Sequence, residues 1–583
     1  MGKIKNIISM NWLTGPIFDK ELRVSSRRKR NYVTRFIYIV ILILFITLIW
    51  VQTVSRYYGS ATYQASRMSR AGIEITTLII WIQFCCTQLF TLVMLSTAIG
   101  DEIYNKTLGA LMTTPINSFQ IVMGKLLSKL LQIFLIICIS LPILAVIRVF
   151  GGVQWGFIIS SFFINITTVI FIGSLTIFFS IFSRKSYVVI IFTLLSMGAI
   201  FLLFPLAVGF LTDWTNDDAI LKPLFYANPY VVLGANTEGM MSSRQWLSFS
   251  TAIHCVFMLT ASAVVLTFVV TQVRKVALRQ ITGQAIFAKK PSKKNAKDFA
   301  GQKITDIPIG KIKKSPVLWR ELRNSVFRRH KKLSIIFGSL LLLIIAIVYL
   351  VCASENGFRD NDTHKVFSCI YFALALLFTI VLPATCITTE KEARSWPILL
   401  ATTLSSHQIL WGKIIGVVKR ISITWVLLFA HVGVFVFLNN IHWLALFMLG
   451  IISFGITALF TGSGLYFSSR FKKSTTAVIM NFVLGIILFA AIPFILYISL
   501  ELSNSSDDLA DTYCNSIPFV QVVMAIAHTT KYNSSTLIDR YWPSGELHAF
   551  DGLAVMVFFM FVNCILGMIM ALIAKRNFRK RIF

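Results

Sequence analysis

The residues that could take part in chemistry are concentrated in two short polar stretches of an otherwise apolar chain. Acidic residues lead into "TTPINSFQIVMGK" (113–125) and again into the similar "TTLSSHQILWGK" (402–413). A Gly-Lys pair that cradles phosphate needs a glycine five positions earlier and a Ser or Thr directly after it. Neither Gly-Lys pair here has them, so the sequence excludes nucleotide binding by such a loop.

Other catalytic and metal-binding signatures are missing as well. The sequence has no HExxH or GxSxG motif, its eight histidines are scattered, and its nine cysteines include no CxxC pair. A hydrolase or a structural zinc site would need such spacings. We therefore predict a chain without catalytic residues that binds no cofactor or metal ion itself.

The elements that hold these stretches are predicted to be membrane-spanning helices. The chain has 583 residues, 56% of them hydrophobic, with a mean hydropathy of +0.75. A helix crosses the hydrocarbon core with about 20 apolar residues. Twelve stretches of about that length predict an all-α polytopic membrane protein: 33–54, 75–99, 126–147, 155–182, 187–211, 247–271, 333–352, 366–388, 414–438, 443–467, 477–500 and 552–573.

The net charge of +31 is distributed as the positive-inside rule requires. Residues 1–35, 273–314, 315–332 and 575–583 together hold 32 of the 55 basic residues, and each segment flanks a predicted span. This places both termini and the central segment in the cytoplasm, with anionic membrane lipids rather than nucleic acid as the partner of the basic charge. A bacterial inner membrane is the expected location.

The sequence contains an internal repeat. "GPIFDKELRVSSRR" (15–28) resembles "SPVLWRELRNSVFRR" (315–329), and the lysine that ends the stretch 113–125 recurs 288 residues later. Six predicted spans per copy is an even number, so the two halves have the same orientation. We predict a first half at 1–272, a basic cytoplasmic linker at 273–314 whose lysine-rich part 289–314 is flexible, and a second half at 315–583.

Each half is predicted to begin with an amphipathic helix at the membrane interface, at 15–30 and 315–330. Glu21 and Glu321 are the acids of these basic helices, and each is expected to pair with a neighbouring arginine. Arg23 and Arg323 lie on the same two helices. A simple anchor and a part that transmits motion are equally compatible with the pattern.

The segments 100–115 and 389–405, here called the first and second polar segments, are predicted to be short helices outside the bilayer. Acidic residues suit a helix N-terminus, and Pro115 ends the first helix. A plain reversal between spans needs only about two to eight residues. About twenty residues in both halves favour a docking element for a partner, with an interfacial turn as the alternative.

This combination of motifs resembles the membrane subunits of ABC-2-type ABC transporters, over nearly the whole chain. In that family the polar segment is a coupling helix that rests in a groove of a cytoplasmic ATPase, and the basic helix is the elbow helix. The resemblance implies a permease for an ATP-driven exporter, with ATP and Mg²⁺ bound by a separate ABC ATPase dimer. The implied ATPase-coupling residues are Asp101, Glu102, Thr107, Leu108, Leu111, Thr114, Pro115, Glu390, Glu392, Trp396, Leu399, Leu400 and Thr403.

The second copy departs from the family pattern at two positions. It has Leu404 after Thr403 where Thr-Pro is expected, so that end is predicted to terminate less sharply. It also carries Pro397 early in the helix, which is tolerated only near the first turn.

Polar residues inside predicted spans are candidates for lining a transport path. Gln83, Thr87, Gln88 and Asn481 belong to this set. Neutral polar groups in spans also simply stabilise helix packing. Lys125 and a neighbouring lysine near the inner edge are expected to extend their ammonium groups to water.

Two other functions remain open on the sequence. A secondary transporter of major-facilitator layout shares the six-plus-six repeat, but the chain lacks that family's Arg-rich signature after 100–101 and has no buried carboxylates for a proton relay. A non-transporting assembly factor linked to an ATPase is the third hypothesis, disfavoured by its short outer loops. The resemblance leaves the substrate open among lipids, glycans, peptides, antibiotics and ions.

Overall fold

Helices occupy each of the twelve positions where the sequence predicts a span. In the computed structural model, no strand occurs among the residues described. Helices suit a bilayer because they satisfy their backbone hydrogen bonds internally. The structure describes residues 11–27, 29–53, 60–104, 107, 113–149, 151–183, 185–206, 225–241, 250–281, 316–323, 331–354, 357–496, 513, 515–527, 529 and 549–578.

The first half follows the predicted order of elbow helix, spans and polar segment. Its helices are α1 (Asn11–Ser26), α2 (Lys29–Thr53), α3 (Ala61–Leu95), α4 (Gly100–Tyr104), α5 (Ser118–Arg148), α6 (Trp155–Phe182), α7 (Ser186–Gly198), α8 (Pro229–Met241) and α9 (Thr251–Ile281).

The second half repeats this order. Its helices are α10 (Pro316–Arg323), α11 (Lys331–Ser354), α12 (Asn361–Thr385), α13 (Thr388–Glu392), α14 (Trp396–Leu400), α15 (Ser406–Phe437), α16 (Leu444–Arg470), α17 (Ser474–Ile486), α18 (Pro518–Ala527) and α19 (Ala549–Asn577).

Ten helical segments within the described residues are long and apolar enough to cross a membrane. The remaining two predicted spans are α2 and α11. α2 meets α1 at a bend of 65°, and in α11 the apolar stretch Leu342–Ser354 is shorter than a span. The chain is therefore a multi-pass membrane protein, and the count of twelve spans stays a prediction.

The chain divides into two compact units. The first contains Met1–Ala277 together with Gly338–Glu355 and Ile492–Asp511, and the second contains the remainder. The apolar part of α11 thus groups with the first unit rather than with its own half. The linker predicted at 273–314 lies almost wholly outside the described residues, from residue 282 onward.

Close helix packing in the second unit depends on small residues. α16 and α19 approach so closely that a Cβ on Gly462 would collide with the backbone of Gly567, and one on Gly567 would collide with the backbone of Ala458. Small residues at helix interfaces allow such contact between backbones, which is a main source of packing energy in lipid. These two helices form the most extensive helix pair of the second unit.

The fifth span of each half contains a π-helical turn at a matching position. The turns at Ala199–Leu203 and Ile487–Ala491 are 288 residues apart, and each lies two residues ahead of a proline. Pro205 has no N–H for the carbonyl four residues earlier. That carbonyl, on Phe201, accepts a hydrogen bond from Asn228 Nδ2 at 2.8 Å instead. The segment around α8 is thereby bound to the widened turn.

Candidate functional site at the two polar segments

The first polar segment begins with the short helix α4, which a serine of α6 holds in place. Ser180 Oγ accepts hydrogen bonds from the backbone N–H groups of Ile99 at 3.3 Å and Gly100 at 3.1 Å. The first N–H groups of a helix have no partner within it, so this serine completes the start of α4. Asp101 and Glu102 lie in the first turn, as predicted, where the helix dipole favours negative charge.

The second polar segment is built from two short helices rather than the one that the sequence predicts over 389–405. α13 ends at a left-handed residue, Arg394 (φ 53°), with backbone bonds from Ser395 N to Glu390 O and from Arg394 N to Lys391 O. These two bonds are those of a Schellman turn. The chain then restarts as α14 with Pro397 in its first turn, where a proline costs no hydrogen bond.

Both segments are framed by equivalent contacts. Ser468 Oγ accepts from Ile387 N at 2.8 Å and Thr388 N at 3.0 Å, which repeats the role of Ser180 exactly 288 residues later. At the far end, Gln120 and Gln408 each accept a hydrogen bond from the backbone N–H three residues earlier, at the start of α5 and α15. The repeat therefore extends to individual hydrogen bonds.

A buried lysine joins the first polar segment to the elbow helix. Lys125 Nζ on α5 lies 3.0 Å from Glu102 Oε1 of α4 and 3.7 Å from Glu21 Oε1 of α1. Lys129 Nζ, one turn further along α5, lies 3.4 Å from Glu21 Oε2. Three elements distant in the sequence thus meet at one ammonium group, whose side chain is only 8% exposed.

The second half repeats this arrangement with more charges. Lys413 Nζ on α15 lies 3.0 Å from Glu390 Oε1 of α13 and 3.5 Å from Glu321 Oε1 of α10, and its side chain is 1% exposed. It also donates to the carbonyl of Cys386 at 2.9 Å. Two arginines complete the cluster, because Arg420 pairs with Glu321 and Arg320 pairs with Glu390.

The elbow helix of the second half reaches Lys413 because α15 presents glycines to it. A Cβ at Gly412 would lie 3.1 Å from Leu318 N, and one at Gly416 would lie 2.6 Å from Glu321 Cβ. Close backbone approach is a recurrent use of glycine. In the first half the residue 288 positions before Gly416 is Ser128, which has a Cβ at this position.

These clusters correct two expectations from the sequence. Glu21 pairs with lysines of α5 rather than with a neighbouring arginine, whereas Glu321 does pair with arginines. Lys125 does not extend to water, because two carboxylates compensate its charge inside the protein. No periodicity could have shown this, since the partners are 23 and 104 residues away.

The electrostatics of the second cluster favour ionised groups. Burial raises the pKa of the Glu321 carboxyl, but the cations of Lys413 and Arg420 outweigh burial and hold that pKa below its ordinary value. A buried charge is costly unless it is paired. The ammonium group of Lys413 therefore needs both carboxylates, and these need the cations around them.

The residues predicted to contact an ATPase fall into four groups in the structure, and the last group is the apolar residues of the second polar segment. Asp101, Thr107, Thr114, Pro115 and Thr403 are exposed. Glu102, Glu390 and Glu392 are half-buried and bind groups of this chain. For example, Glu102 accepts a hydrogen bond from Thr107 Oγ1, and Glu392 accepts one from the backbone N–H of Ser474. Leu108 and Leu111 lie outside the described residues.

The apolar residues of the second polar segment mostly point inward. Trp396 and Leu399 belong to a buried cluster with Val317 of α10, and the Trp396 ring packs edge-on against Phe578 at 5.0 Å. Leu400 is half-buried beside them. The side chains that face outward are neighbours not singled out from the sequence, above all Ile398, which is 71% exposed.

The elbow-helix arginines contribute less to the clusters than the acids do. Arg23 is exposed on α1, and the side chain of Arg323 lies outside the described residues. α1 itself changes direction at Gly15 (φ 60°), so its regular part begins near Pro16.

The candidates for lining a path are buried and hydrogen-bonded within their own units. Gln83 accepts from Ser140 Oγ at 2.6 Å, Thr87 donates to Asn165 Oδ1 at 2.8 Å, and Gln88 accepts from Tyr230 OH at 2.6 Å. Asn481 accepts from Ser463 Oγ and donates to the carbonyl of Ile380. These contacts join neighbouring helices, which is the packing role that the sequence left open.

Among the described residues, no group of three or more His, Cys, Asp or Glu side chains is placed to hold a metal ion. Two repeated sets of apolar helices, with a polar segment bound to the elbow helix in each half, are typical of a helical membrane transport subunit. The family model for "ABC-2 family transporter protein" matches the chain twice, at residues 16–275 and 271–570. The chain belongs to this family, as two permease halves fused in one chain.

No curated protein matches the chain. Membership of the family identifies a permease subunit of an ABC transporter, which is a membrane transport subunit and not itself catalytic. It also implies association with a cytoplasmic ABC ATPase.

Proposed function

We propose that this chain forms the translocation path of an ATP-driven exporter and that a separate cytoplasmic ABC ATPase dimer binds its two polar segments. ATP and Mg²⁺ are then bound and used by that dimer alone. ATPase closure on ATP displaces the polar segments, and the two six-helix halves change between inward-open and closed or outward-open arrangements. Export as the direction of transport comes from the family resemblance.

The buried lysines are the observation that carries this proposal. In each half one ammonium group binds the polar segment and the elbow helix to the third span. A segment held by buried ion pairs moves with the helices to which it is bound, as a lever must. Because a buried charge is costly unless it is paired, each ammonium group stays bound to the carboxylates of both elements.

The exposed residues of the polar segments supply the contact surface for the ATPase. In the first segment these include Asp101, Thr107 and Pro115, and in the second they include Pro397 and Ile398. Glu102 and Trp396 lie beneath this surface and support it, because their contacts with their own chain fix the conformation of the two segments. The implied coupling residues thus divide into contact residues and supporting residues.

The distribution of charge orients the proposed complex. Both termini and the basic central segment lie in the cytoplasm of a bacterial cell, and the chain lies in the inner membrane. Basic residues at the ends of spans remain on the cytoplasmic side. The polar segments follow the second and eighth spans and therefore lie on the same side as the termini, where an ATPase can reach them.

Co-purification tests the proposal with a matched pair of variants. Ile398→Glu places a charge on an exposed residue of α14, and Lys472→Ala makes the same change in net charge at an exposed position between α16 and α17. We expect wild type and Lys472→Ala to retain an ATPase with a Walker motif in mild detergent, and Ile398→Glu to retain roughly tenfold less. Retention of no such ATPase by folded wild-type protein would overturn the proposal.

A further inference from the structure

The second polar segment carries two opposite charges that bind the turn between α16 and α17. Lys391 Nζ donates to the carbonyls of Ser468 at 3.1 Å and Phe471 at 3.2 Å, and also to that of Ser469. The last carbonyls of a helix have no partner within it and attract cations. Burial lowers the pKa of the Lys391 amine to about 8, which leaves it mainly charged at neutral pH.

The neighbouring residue binds the other side of the same turn. Glu392 Oε1 accepts a hydrogen bond from the backbone N–H of Ser474, the first residue of α17, at 2.6 Å. A carboxylate at a helix N-terminus is favoured by the same rule that places a cation at a C-terminus. Consecutive residues of α13 thus bind the end of the tenth span and the beginning of the eleventh.

In the first half, the two positions that correspond to this pair carry no charged side chain. The serines that accept from the start of each polar segment, Ser180 and Ser468, set the register at 288 residues, and in that register Lys391 and Glu392 correspond to Ile103 and Tyr104. Neither side chain can supply an ammonium group or a carboxylate. The serine contact is common to both halves, whereas the charged pair is an addition of the second.

We propose that Lys391 and Glu392 are positioning residues that transmit movement of the second polar segment directly to the tenth and eleventh spans. The proposal rests on the proposed function, because an ATPase must supply the movement. A displaced segment pulls on three backbone carbonyls of one helix and one backbone N–H of the next, so both helix ends follow it. The first polar segment acts on its own spans through the serine, the buried lysine and the elbow helix.

Hydrogen–deuterium exchange of the purified complex with its ATPase tests this transmission. The measurement is the difference in exchange of residues 468–478 between the nucleotide-free complex and the complex with a non-hydrolysable ATP analogue. We expect Lys391→Met and Glu392→Gln each to reduce this difference by more than half. Lys391→Arg keeps the charge and Lys472→Ala alters an exposed neighbour, so both should retain it.

The corresponding peptide of the first half, 180–190, is the internal control, and its nucleotide-dependent difference should be unchanged in every variant. A role in folding alone would raise exchange of 468–478 equally with and without nucleotide and leave the difference intact, which would overturn the inference. Loss of ATPase binding by Lys391→Met, or no nucleotide effect at 468–478 in wild type, would overturn it too. Failure of wild type to bind any ATPase would instead overturn the proposed function.

Discussion

Within the described residues, the two polar segments share their anchoring contacts and differ in the charges and helices around them. Both begin against a serine of the fourth span of their half and both bind a buried lysine that also reaches the elbow helix. The first segment starts with one short helix next to a lysine whose carboxylates remain about a quarter exposed. The second has two short helices, a buried tryptophan and a cluster that includes two arginines.

The comparison of the two segments indicates which contacts are needed to bind a polar segment to its elbow helix and third span. A lysine buried between two carboxylates occurs in both halves, where each buried charge depends on the opposite charges around it. Other positions differ between the halves. Gln132 of the first half corresponds to Arg420 of the second, and Ser128 corresponds to Gly416. We expect the second half to be the more tightly bound of the two, because its lysine is more deeply buried and two arginines join its cluster, and three predictions test that ranking.

The largest effect is expected from removing the buried lysines. Lys413→Met should lower the free energy of unfolding by about 3–5 kcal/mol, because it removes the fully buried cation between Glu321 and Glu390, and the more exposed Arg420 and Arg320 replace it only in part. Lys125→Met should cost less, about 1–3 kcal/mol, because Glu21 and Glu102 are partly solvated. Denaturant unfolding in detergent measures both.

A second substitution serves as the control for that prediction. Glu390→Gln combined with Lys413→Met removes a charge of each sign, so part of the lost stability should return. Equal losses for the two single lysine variants, or a larger loss for Lys125→Met, would contradict the ranking of the halves.

A smaller effect is expected where the elbow helix meets α15. Gly416→Ser copies the first half, but its Cβ would lie 2.6 Å from Glu321 Cβ. We expect a loss of about 1–3 kcal/mol from overpacking. Thermal unfolding checks this, with Gly450→Ser as the control, since a Cβ there meets no atom within 4 Å. Equal melting temperatures for the two variants would show that the approach of α10 to α15 is not tight.

The smallest effect at neutral pH concerns titration of Glu321. Its pKa is held below the ordinary value of 4.5 by Lys413 and Arg420, so its ionised form stabilises the fold. This contribution is fully present above the unfolded pKa and is lost as the pH falls through the lower folded value. The stability difference between wild type and Glu321→Gln should therefore shrink only below about pH 4.5. A constant difference down to pH 3 would contradict this cause.

Much of the architecture follows from local sequence pattern. Apolar runs located the helices, because each span must satisfy its own backbone in lipid, and the helix over 126–147 needed no knowledge of its neighbours. The repeat was visible because Glu21 and Glu321 stand in matching motifs. Asp101 and Glu102 marked the start of α4 through the helix dipole alone.

The site itself was predictable only in outline. The sequence singled out Trp396 and Leu399 as contact residues, but the structure packs both against the chain's own core and exposes Ile398 between them. Helical spacing of apolar residues reports that a face is apolar, not what covers it. Here the apolar face is covered by the same chain, because Phe578, the residue directly after α19, packs against Trp396.

The sequence by itself therefore determined the helical class, the two halves and the position of the polar segments, because these depend on composition and on spacing along a few helical turns. Only the tertiary structure decided that Lys125 and Lys413 are buried bridges and that Lys391 and Glu392 bind the turn after α16. These contacts join residues between 23 and 104 positions apart, and a buried charge gains its partners only when folding brings them together in a place that excludes water.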